Sequence, residues 1–164
     1  MISKAMQDAI NEQIKHEFYS AYLYLAMSAH FEEENLGGFA TWLRVQFQEE
    51  QAHALKFMGY LYERGGAVNL QALDQPPMKF GSHLEVFQQV LEHEQKVTGL
   101  IHKLYELALK ENDYASQIML QWFINEQVEE EKNATDIIAS LKLIEAKGTA
   151  VLMLDHELGH RGKS

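Results

Sequence analysis

Five side chains of this sequence have the type and spacing that could bind metal ions. Glu50 and His53 lie three residues apart, which places both on one face of a helix, one turn apart. Glu17, Glu94 and Glu130 each interrupt an apolar stripe of i, i+3, i+4, i+7 spacing. Carboxylate oxygens with one imidazole favour iron or manganese over thiolate-seeking metals. We therefore expect a metal site here, with a buried proton-sharing cluster as the alternative.

The position of these carboxylates on apolar stripes is the reason to expect a cation. An unpaired carboxylate in an apolar interior costs several kcal/mol, and four that converge also repel one another. No lysine or arginine lies one turn away on the same stripes. A bound multivalent cation is therefore the simplest source of charge balance. For most of the other acidic residues the expected role is a solvated helix face.

An internal repeat relates the two halves of the chain. His16 and Glu17 recur as His93 and Glu94, at an offset of 77 residues. Most other positions at this offset differ, so the repeat preserves mainly the spacing of the candidate ligands. The chain thus reads as two related helical hairpins. The same offset relates three further pairs: Glu49 to Glu126, Glu50 to Gln127 and His53 to Glu130.

The distribution of helix breakers divides the chain into five helical segments. Both prolines, Pro76 and Pro77, lie between residues 65 and 82, and long spans elsewhere contain no strong breaker. Ser82 and Asp113 are predicted N-caps, and Gly148 is the predicted C-terminal stop of the fourth helix. The predicted helices are A (4–34), B (38–64), C (83–111), D (114–146) and E (149–160).

The lengths of the connections indicate how these helices are arranged. Short turns at 35–37 and 112–113 make A with B, and C with D, antiparallel hairpins. The connection from B to C can span up to about 60 Å when extended, enough to run the length of the bundle. We predict an all-α four-helix bundle with one long crossover between B and C and a short fifth helix. A linker between two separate hairpins is the alternative, but it would leave apolar faces exposed.

Composition narrows the classes of partner. The 164 residues carry a formal net charge of −10, which argues against nucleic acid or an anionic membrane as a partner and favours cations. The absence of cysteine excludes disulfides, thiol catalysis and zinc–thiolate sites. The N-terminal residues lack an apolar signal core, and no segment approaches about 18 uninterrupted apolar residues. We therefore expect a soluble cytoplasmic protein.

Several motifs together resemble one family. They are Glu17 with Tyr24, the segment 49–53 (Glu-Glu-Gln-Ala-His), Glu94, and the segment 125–130 (Asn-Glu-Gln-Val-Glu-Glu). In these residues the chain resembles the bacterial non-haem ferritins, and the similarity covers residues 1–164 as a single ferritin-like domain. The resemblance implies the following ligands: one iron at Glu17, Glu50 and His53; a second at Glu50, Glu94 and Glu130, with Gln127 beside it; and a third, weaker one among Glu49, Glu126, Glu129 and Glu130.

The resemblance also implies an activity and an assembly. Ferrous iron would be oxidised at the paired sites by dioxygen or peroxide and then stored as a ferric mineral inside a homo-oligomeric shell of 24 subunits. Tyr24 resembles a family tyrosine that can supply an electron, and a core aromatic role is the alternative. Two other functions stay open: a di-iron peroxidase or oxygenase without a shell, and a non-catalytic cage or metal buffer.

Departures from related families narrow the expectation further. Bacterioferritins and rubrerythrins carry a second Glu-x-x-His on helix D, whereas here Asn133 follows Glu130 by three residues. Bacterioferritins bind haem through a methionine directly after the bridging glutamate, where this chain has Gln51. We therefore expect a non-haem protein without a haem cofactor.

One further motif matches a different chemistry. Residues 156–160 fit the zinc-peptidase pattern His-Glu-x-x-His, but no third ligand follows them in the sequence. We expect them to form a charged end of helix E, whose apolar residues 150–154 would pack in an oligomer contact. The two tryptophans, Trp42 and Trp122, are expected in the core or in subunit contacts. The remaining histidines are expected at the surface or as caps: His16, His30, His83, His93 and His102.

Overall fold

The computed structural model describes residues 1–145 and 147–163. Within this part of the chain it contains five helices and no strand, in the order α1 (Lys4–Glu33), α2 (Gly37–Glu63), α3 (His83–Lys110), α4 (Tyr114–Ile144) and α5 (Gly148–Leu158). These bounds lie within two residues of the predicted ones. The predicted last residue of helix D, at position 146, lies outside the described residues. No described helix is both long enough and apolar enough to cross a membrane.

Side-chain caps set the first residues of three helices: Ser3 caps α1, Ser82 caps α3 and Asp113 caps α4. Ser82 accepts a hydrogen bond from the Glu85 backbone N–H, and the Glu85 carboxylate accepts one from the Ser82 backbone N–H at 2.7 Å, which forms a capping box. Asp113 accepts from the Ser116 N–H at 3.1 Å. Both N-cap predictions are confirmed. The predicted stop at Gly148 is wrong, because Glu145 already ends α4 in a left-handed conformation and Gly148 begins α5.

The two hairpins turn in the same way. Asn35 and Asn112 follow the first helix of each hairpin, and both adopt a left-handed backbone, with φ of 59° and 53°. Asparagine tolerates this conformation better than most residues because its side chain can hydrogen-bond locally. The two turns are 77 residues apart, so the internal repeat extends from the candidate ligands to the connections.

The long connection between α2 and α3 runs along α1. Near its start, the Asn69 N–H donates to the side chain of Asn11, in the first half of α1. Near its end, the ring of Phe80 lies 5.8 Å from that of His30, in the last turn of α1. The chain therefore leaves α2 at one end of the bundle and begins α3 at the other. This arrangement makes α2 and α3 parallel and confirms the crossover.

Helix α5 packs against the first turn of α2. The Asp155 carboxylate accepts a hydrogen bond from the Phe39 N–H at 2.9 Å, so α5 caps a helix whose own N-cap, Leu36, provides no side-chain acceptor. Gly38 and Gly159 allow this close contact, because a Cβ at Gly38 would overlap the Asp155 carbonyl. Three apolar residues of α5 are buried in the core: Val151, Leu154 and Leu158.

Two apolar clusters fill the bundle at different heights. The larger lies where α1 ends and α3 begins, and its side chains include Tyr24, Phe31, Phe39, Leu43 and Phe87. The smaller lies towards the start of α1, and its side chains include Met6, Ile10, Phe57, Ile101 and Phe123. The candidate metal ligands lie between the two clusters. Polar side chains therefore interrupt the core in one layer, which all four long helices cross.

Candidate metal centre

The structure brings the predicted ligands together in the middle of the bundle. Glu17 comes from α1, Glu50 and His53 from α2, Glu94 from α3, and Glu130 from α4. Each of these residues is between 1% and 4% exposed. Because carboxylates are almost never this buried without a partner, the layer needs a source of positive charge or protons.

The first group of donor atoms belongs mainly to the hairpin of α1 and α2. One donor atom from each of Glu17, Glu50 and His53 lies within 4.8 Å of the other two. The His53 Nδ1 atom is 3.3 Å from Glu50 Oε2 and 3.9 Å from Glu17 Oε2. Nδ1 is therefore the imidazole nitrogen that faces Glu17 and Glu50 and could bind a cation together with them.

The second group shares a carboxylate with the first. Donor atoms of Glu50, Glu94 and Glu130 also lie within 4.8 Å of one another. Gln127 lies beside this group, and its amide donates to Glu94 Oε2 at 3.0 Å and to Thr98 Oγ1 at 3.2 Å. Two cations could thus bind next to each other with Glu50 between them, while Gln127 orients Glu94.

Burial and mutual repulsion raise the pKa values of these carboxyl groups. Burial raises the pKa of Glu50 well above its usual range, and the charges of Glu94 and Glu17 raise it further. Burial raises the pKa of Glu94 to about 7, although hydrogen bonds from Tyr24 and Gln127 oppose the shift. Burial, followed by the charge of Glu94, raises the pKa of Glu130 to about 8. Without a cation, part of this layer is therefore protonated at neutral pH.

The fit of a cation is also visible in one unpaired atom. Glu17 Oε2 is buried and has no hydrogen-bond partner within the described part of the chain, whereas Glu17 Oε1 accepts from Gln13 at 2.8 Å. The unpaired oxygen is the one that faces His53. A divalent cation bound here would satisfy it, and the donor set of oxygens with one imidazole suits iron.

Tyr24 contacts the second group directly. Its hydroxyl donates to Glu94 Oε1, and its side chain is completely buried. Burial, together with the nearby charge of Glu94, raises the pKa of Tyr24 well above its usual range, so the phenol keeps its proton. The structure therefore places Tyr24 in hydrogen-bond contact with a candidate ligand.

His93 differs from the surface or capping position predicted for it. Its ring packs edge-on against the Tyr24 ring at 5.8 Å. Ser20 Oγ donates to the His16 carbonyl, so the 2.7 Å contact between His93 and Ser20 is a hydrogen bond donated by Nε2–H. Burial, then the charges of Lys96 and His16, lower the pKa of His93 to about 4. His93 is therefore a neutral neighbour of Tyr24.

The residues predicted for a third iron are only partly brought together. Glu126 and Glu130 form a group with His53 within 4.8 Å, and Glu126 Oε1 lies 3.7 Å from His53 Nε2. Glu49 instead forms an ion pair of 2.7 Å with Arg161, and Glu129 is exposed. Neither Glu49 nor Glu129 belongs to a metal-binding group among residues 1–145 and 147–163.

Sequence reasoning missed two amides and one cation around the centre. Gln13 and Gln46 each lie one turn before a candidate ligand, at the i, i+4 spacing that lets a glutamine donate to a glutamate. That spacing is a signal in the sequence which could have identified them. Arg161 reaches the centre from beyond α5, and no local pattern connects it with α2.

The His-Glu-x-x-His motif lies apart from the centre. His156, Glu157 and His160 are exposed at the end of α5, and His160 Nδ1 donates to the His156 carbonyl at 2.7 Å. None of the three belongs to a metal-binding group within the residues that the structure describes. These positions agree with the predicted charged helix end. The oligomer contact predicted for residues 150–154 is wrong for Val151 and Leu154, which are buried against the bundle, whereas Leu152 and Met153 are exposed.

Comparison with known proteins identifies the family. A model of the ferritin-like domain matches residues 7–144. The bacterial non-heme ferritins of Bacteroides fragilis (strain 638R) and Staphylococcus aureus (strain USA300) are 43% and 37% identical over 161 residues, which cover 98% of this chain and 100% and 97% of those proteins. The open pore ferritin of Archaeoglobus fulgidus superposes with a TM-score of 0.97 at 48% identity, covering 98% of this chain and 99% of that one. The chain therefore belongs to the ferritin family.

Proposed function

We propose that this chain is an iron-storage ferroxidase that oxidises ferrous iron at the layer of buried carboxylates. The observation that supports this most directly is the shared position of Glu50. Its carboxylate belongs to one group with Glu17 and His53 and to another with Glu94 and Glu130. Two iron ions held on either side of one carboxylate could each give an electron to the same oxidant.

The electron balance of the proposed reaction requires two ferrous ions. Each loses one electron, and dioxygen accepts both electrons with two protons to become hydrogen peroxide. With peroxide as the oxidant, two electrons and two protons give two molecules of water. The carboxyl groups with raised pKa values would release protons when iron binds, and their negative charge would stabilise the ferric product.

His53 is proposed to bind the first iron through Nδ1. Its Nε2 atom lies 3.7 Å from Glu126 Oε1, and a carboxylate on that side favours the tautomer with the proton on Nε2. Nδ1 is then unprotonated and free to bind iron. Glu126 would in this way orient a ligand, in addition to contributing to the third iron site.

The further roles follow the family resemblance. Gln127 would lie beside the second iron and hold Glu94 in place. A third, more weakly bound iron would lie among Glu49, Glu126, Glu129 and Glu130. Tyr24, which donates to Glu94, would supply an electron to the oxidant when iron alone gives too few.

Storage requires an assembly, and several exposed apolar residues favour one. On α4 and α5, Leu143, Leu152 and Met153 are 84%, 62% and 70% exposed, and Ile118 near the start of α4 is 72% exposed. Apolar side chains exposed on several faces are typical of surfaces that bury one another in an oligomer. We propose a homo-oligomeric shell of 24 subunits, with the oxidised iron stored inside as a ferric mineral.

One experiment tests activity and storage together. Ferrous iron is added in air, ferric absorbance is followed, and particle mass is measured by light scattering before and after loading. We expect rapid oxidation and a large soluble particle that retains iron. Glu50→Gln should abolish the rapid phase. Glu63→Gln, the same change at an exposed site of the same helix, is the matched control. A monomeric product, or unchanged oxidation in Glu50→Gln, would rule the proposal out.

A further inference from the structure

Arg161 is the one cation that the described structure places against the polar layer from outside the four long helices. Its guanidinium donates to Glu49 Oε2 at 2.7 Å, to Gln46 Oε1 at 2.9 Å and to the Trp42 carbonyl at 3.2 Å. It also stacks on the Trp42 ring, 4.1 Å from the ring centroid. The side chain is 17% exposed, so solvent screens these interactions only in part.

The fold holds Arg161 in this place. Helix α5 is fixed on α2 by the Asp155 cap and by the contact of Gly38 with Gly159. After α5 the backbone turns at Gly162, which has a left-handed φ of 76°. A Cβ at Gly162 would lie 3.2 Å from Val45, so this turn also lies directly against α2. The position of the guanidinium is therefore set by backbone packing.

Gln46 transmits the position of Arg161 to the candidate ligands. It is completely buried, and its amide nitrogen donates to Glu130 Oε2 at 2.6 Å and to Glu50 Oε1 at 3.3 Å. A flipped amide would turn its N–H groups towards the guanidinium, where donor would meet donor. Arg161 therefore fixes which end of the Gln46 amide faces Glu50 and Glu130.

Glu49 is the point at which Arg161 and iron would compete. The carboxylate that the guanidinium holds belongs to the set proposed for the third iron, together with Glu126, Glu129 and Glu130. One guanidinium nitrogen, Nη2, donates to Glu49 Oε2, so it occupies one oxygen that a metal would need, and its positive charge repels an arriving cation. The two ions of the Glu50 groups use other carboxylates and do not face this competition directly.

We propose that Arg161 is a positioning residue that restrains the third iron by holding Glu49, so that iron must displace the guanidinium to bind there. This proposal rests on the proposed function, because it concerns the same carboxylates. The third site then has a low affinity for iron, so iron occupies it only briefly and moves on to the mineral. Removing the guanidinium would make the third site tighter and slow the passage of iron through it.

The test measures ferrous iron binding without oxygen, by calorimetry on the assembled, metal-free protein. We expect two tighter ions and a weaker third in the wild type. In Arg161→Gln the third ion should bind about tenfold more tightly, the ratio expected for loss of one half-buried charged interaction. Arg44→Gln is the matched control. Arg44 also forms an ion pair with a glutamate, but its partner is Glu32 and its side chain is half exposed. A general loosening of the fold would weaken binding, so a gain separates the proposal from a merely structural role.

Two further variants keep the test decisive. Arg161→Lys retains the charge but lacks the planar guanidinium that bonds the Trp42 carbonyl together with Gln46 and Glu49, so its third-site affinity should lie between those of the wild type and Arg161→Gln. In Glu49→Gln the added change Arg161→Gln should bring no gain. Unchanged third-site affinity in Arg161→Gln, or a gain that persists in the absence of Glu49, would overturn this proposal. The proposed function would still stand if the wild type oxidised ferrous iron rapidly. Failure of the wild type to bind two ions would overturn both.

Discussion

The hairpin of α1 and α2 and the hairpin of α3 and α4 surround equivalent positions with different chemistry. At the offset of 77 residues, Gln46 corresponds to Phe123 and His53 to Glu130. Gln46 donates to Glu130, whereas Phe123 packs edge-on against the imidazole of His53, with ring centroids 5.9 Å apart. Equivalent positions therefore form a hydrogen bond on one side of the centre, between Gln46 and Glu130, and an aromatic contact on the other, between Phe123 and His53.

The environment of each ligand matches its hydrogen-bonding capacity. The carboxyl group of Glu130 receives a hydrogen bond from Gln46, while the imidazole of His53 lies edge-on against Phe123. The outer acids follow the same division. Glu49 is neutralised by Arg161 at 2.7 Å, whereas its equivalent, Glu126, faces the imidazole at 3.7 Å. A repeat that preserves ligand positions has thus allowed the surroundings to diverge, which predicts two unequal iron sites.

The strongest way to break the comparison is to remove the equivalent carboxylates one at a time. Glu17→Gln and Glu94→Gln should each leave one tightly bound ion and slow oxidation more than about a hundredfold, because a pair of ferrous ions is needed. Stopped-flow oxidation and anaerobic iron titration measure both effects. Glu12→Gln and Glu92→Gln, at exposed sites of the same two helices, are the controls. Two bound ions in either ligand variant would contradict the assignment.

A second prediction concerns pH and the hairpin of α3 and α4. The pKa values of Glu94 and Glu130 are raised by burial to about 7 and 8, so the folded metal-free protein holds protons that the unfolded chain releases near pH 4.5. The free energy of unfolding should therefore fall as pH rises from 5 to 8, by a few kcal/mol in all. Glu130→Gln should flatten this slope. Chemical denaturation at each pH measures it, and a stability that rises over this range would refute the prediction.

Much of this comparison follows from local sequence patterns. The ligands Glu50 and His53 share a turn, and the apolar stripes on each helix place Glu17, Glu94 and Glu130 inward at one height. Helical periodicity fixes these directions without knowledge of the partner helices. The caps at Ser82 and Asp113 also depend only on residues a few positions away. Because such local signals set the helix ends, the predicted and observed helix bounds differ by two residues at most.

The parts that sequence reasoning missed depend on contacts between distant segments. Arg161 meets Glu49 across 112 residues, and its position depends on how α5 docks beside Gly38. His93 was expected near the surface because nothing on its own helix indicates that Tyr24 and Ser20 lie opposite it. Glu145 ends α4 in a left-handed conformation, which glycine adopts more readily than other residues, and the sequence therefore points to Gly148 instead. Tertiary packing decides each of these cases.

A third prediction sharpens the contrast between the polar and the aromatic side. Gln46→Leu removes the donor to Glu130 and should weaken the second iron about tenfold, the usual cost of losing a hydrogen bond to a metal ligand. Phe123→Leu, the equivalent change in the other hairpin, should cost about 1 kcal/mol of stability and leave iron affinity nearly unchanged. Anaerobic calorimetry and thermal unfolding of both variants test this. Equal losses of affinity would show that the two sides are energetically alike.

The smallest expected effect concerns Tyr24, whose equivalent at the same offset is the apolar Ile101. Tyr24→Phe removes the hydrogen bond to Glu94 but no ligand, so iron should still bind in pairs. Because that hydrogen bond opposes the rise in the pKa of Glu94, its loss should raise this pKa and shift the onset of iron binding to higher pH. Initial oxidation should slow by about threefold at neutral pH, an effect near 0.7 kcal/mol.

If Tyr24 also supplies an electron, freeze-quenched wild-type protein should show a tyrosyl radical by electron paramagnetic resonance, and Tyr24→Phe should not. A radical of equal yield in the variant would assign the electron to another residue and leave Tyr24 with a positioning role alone.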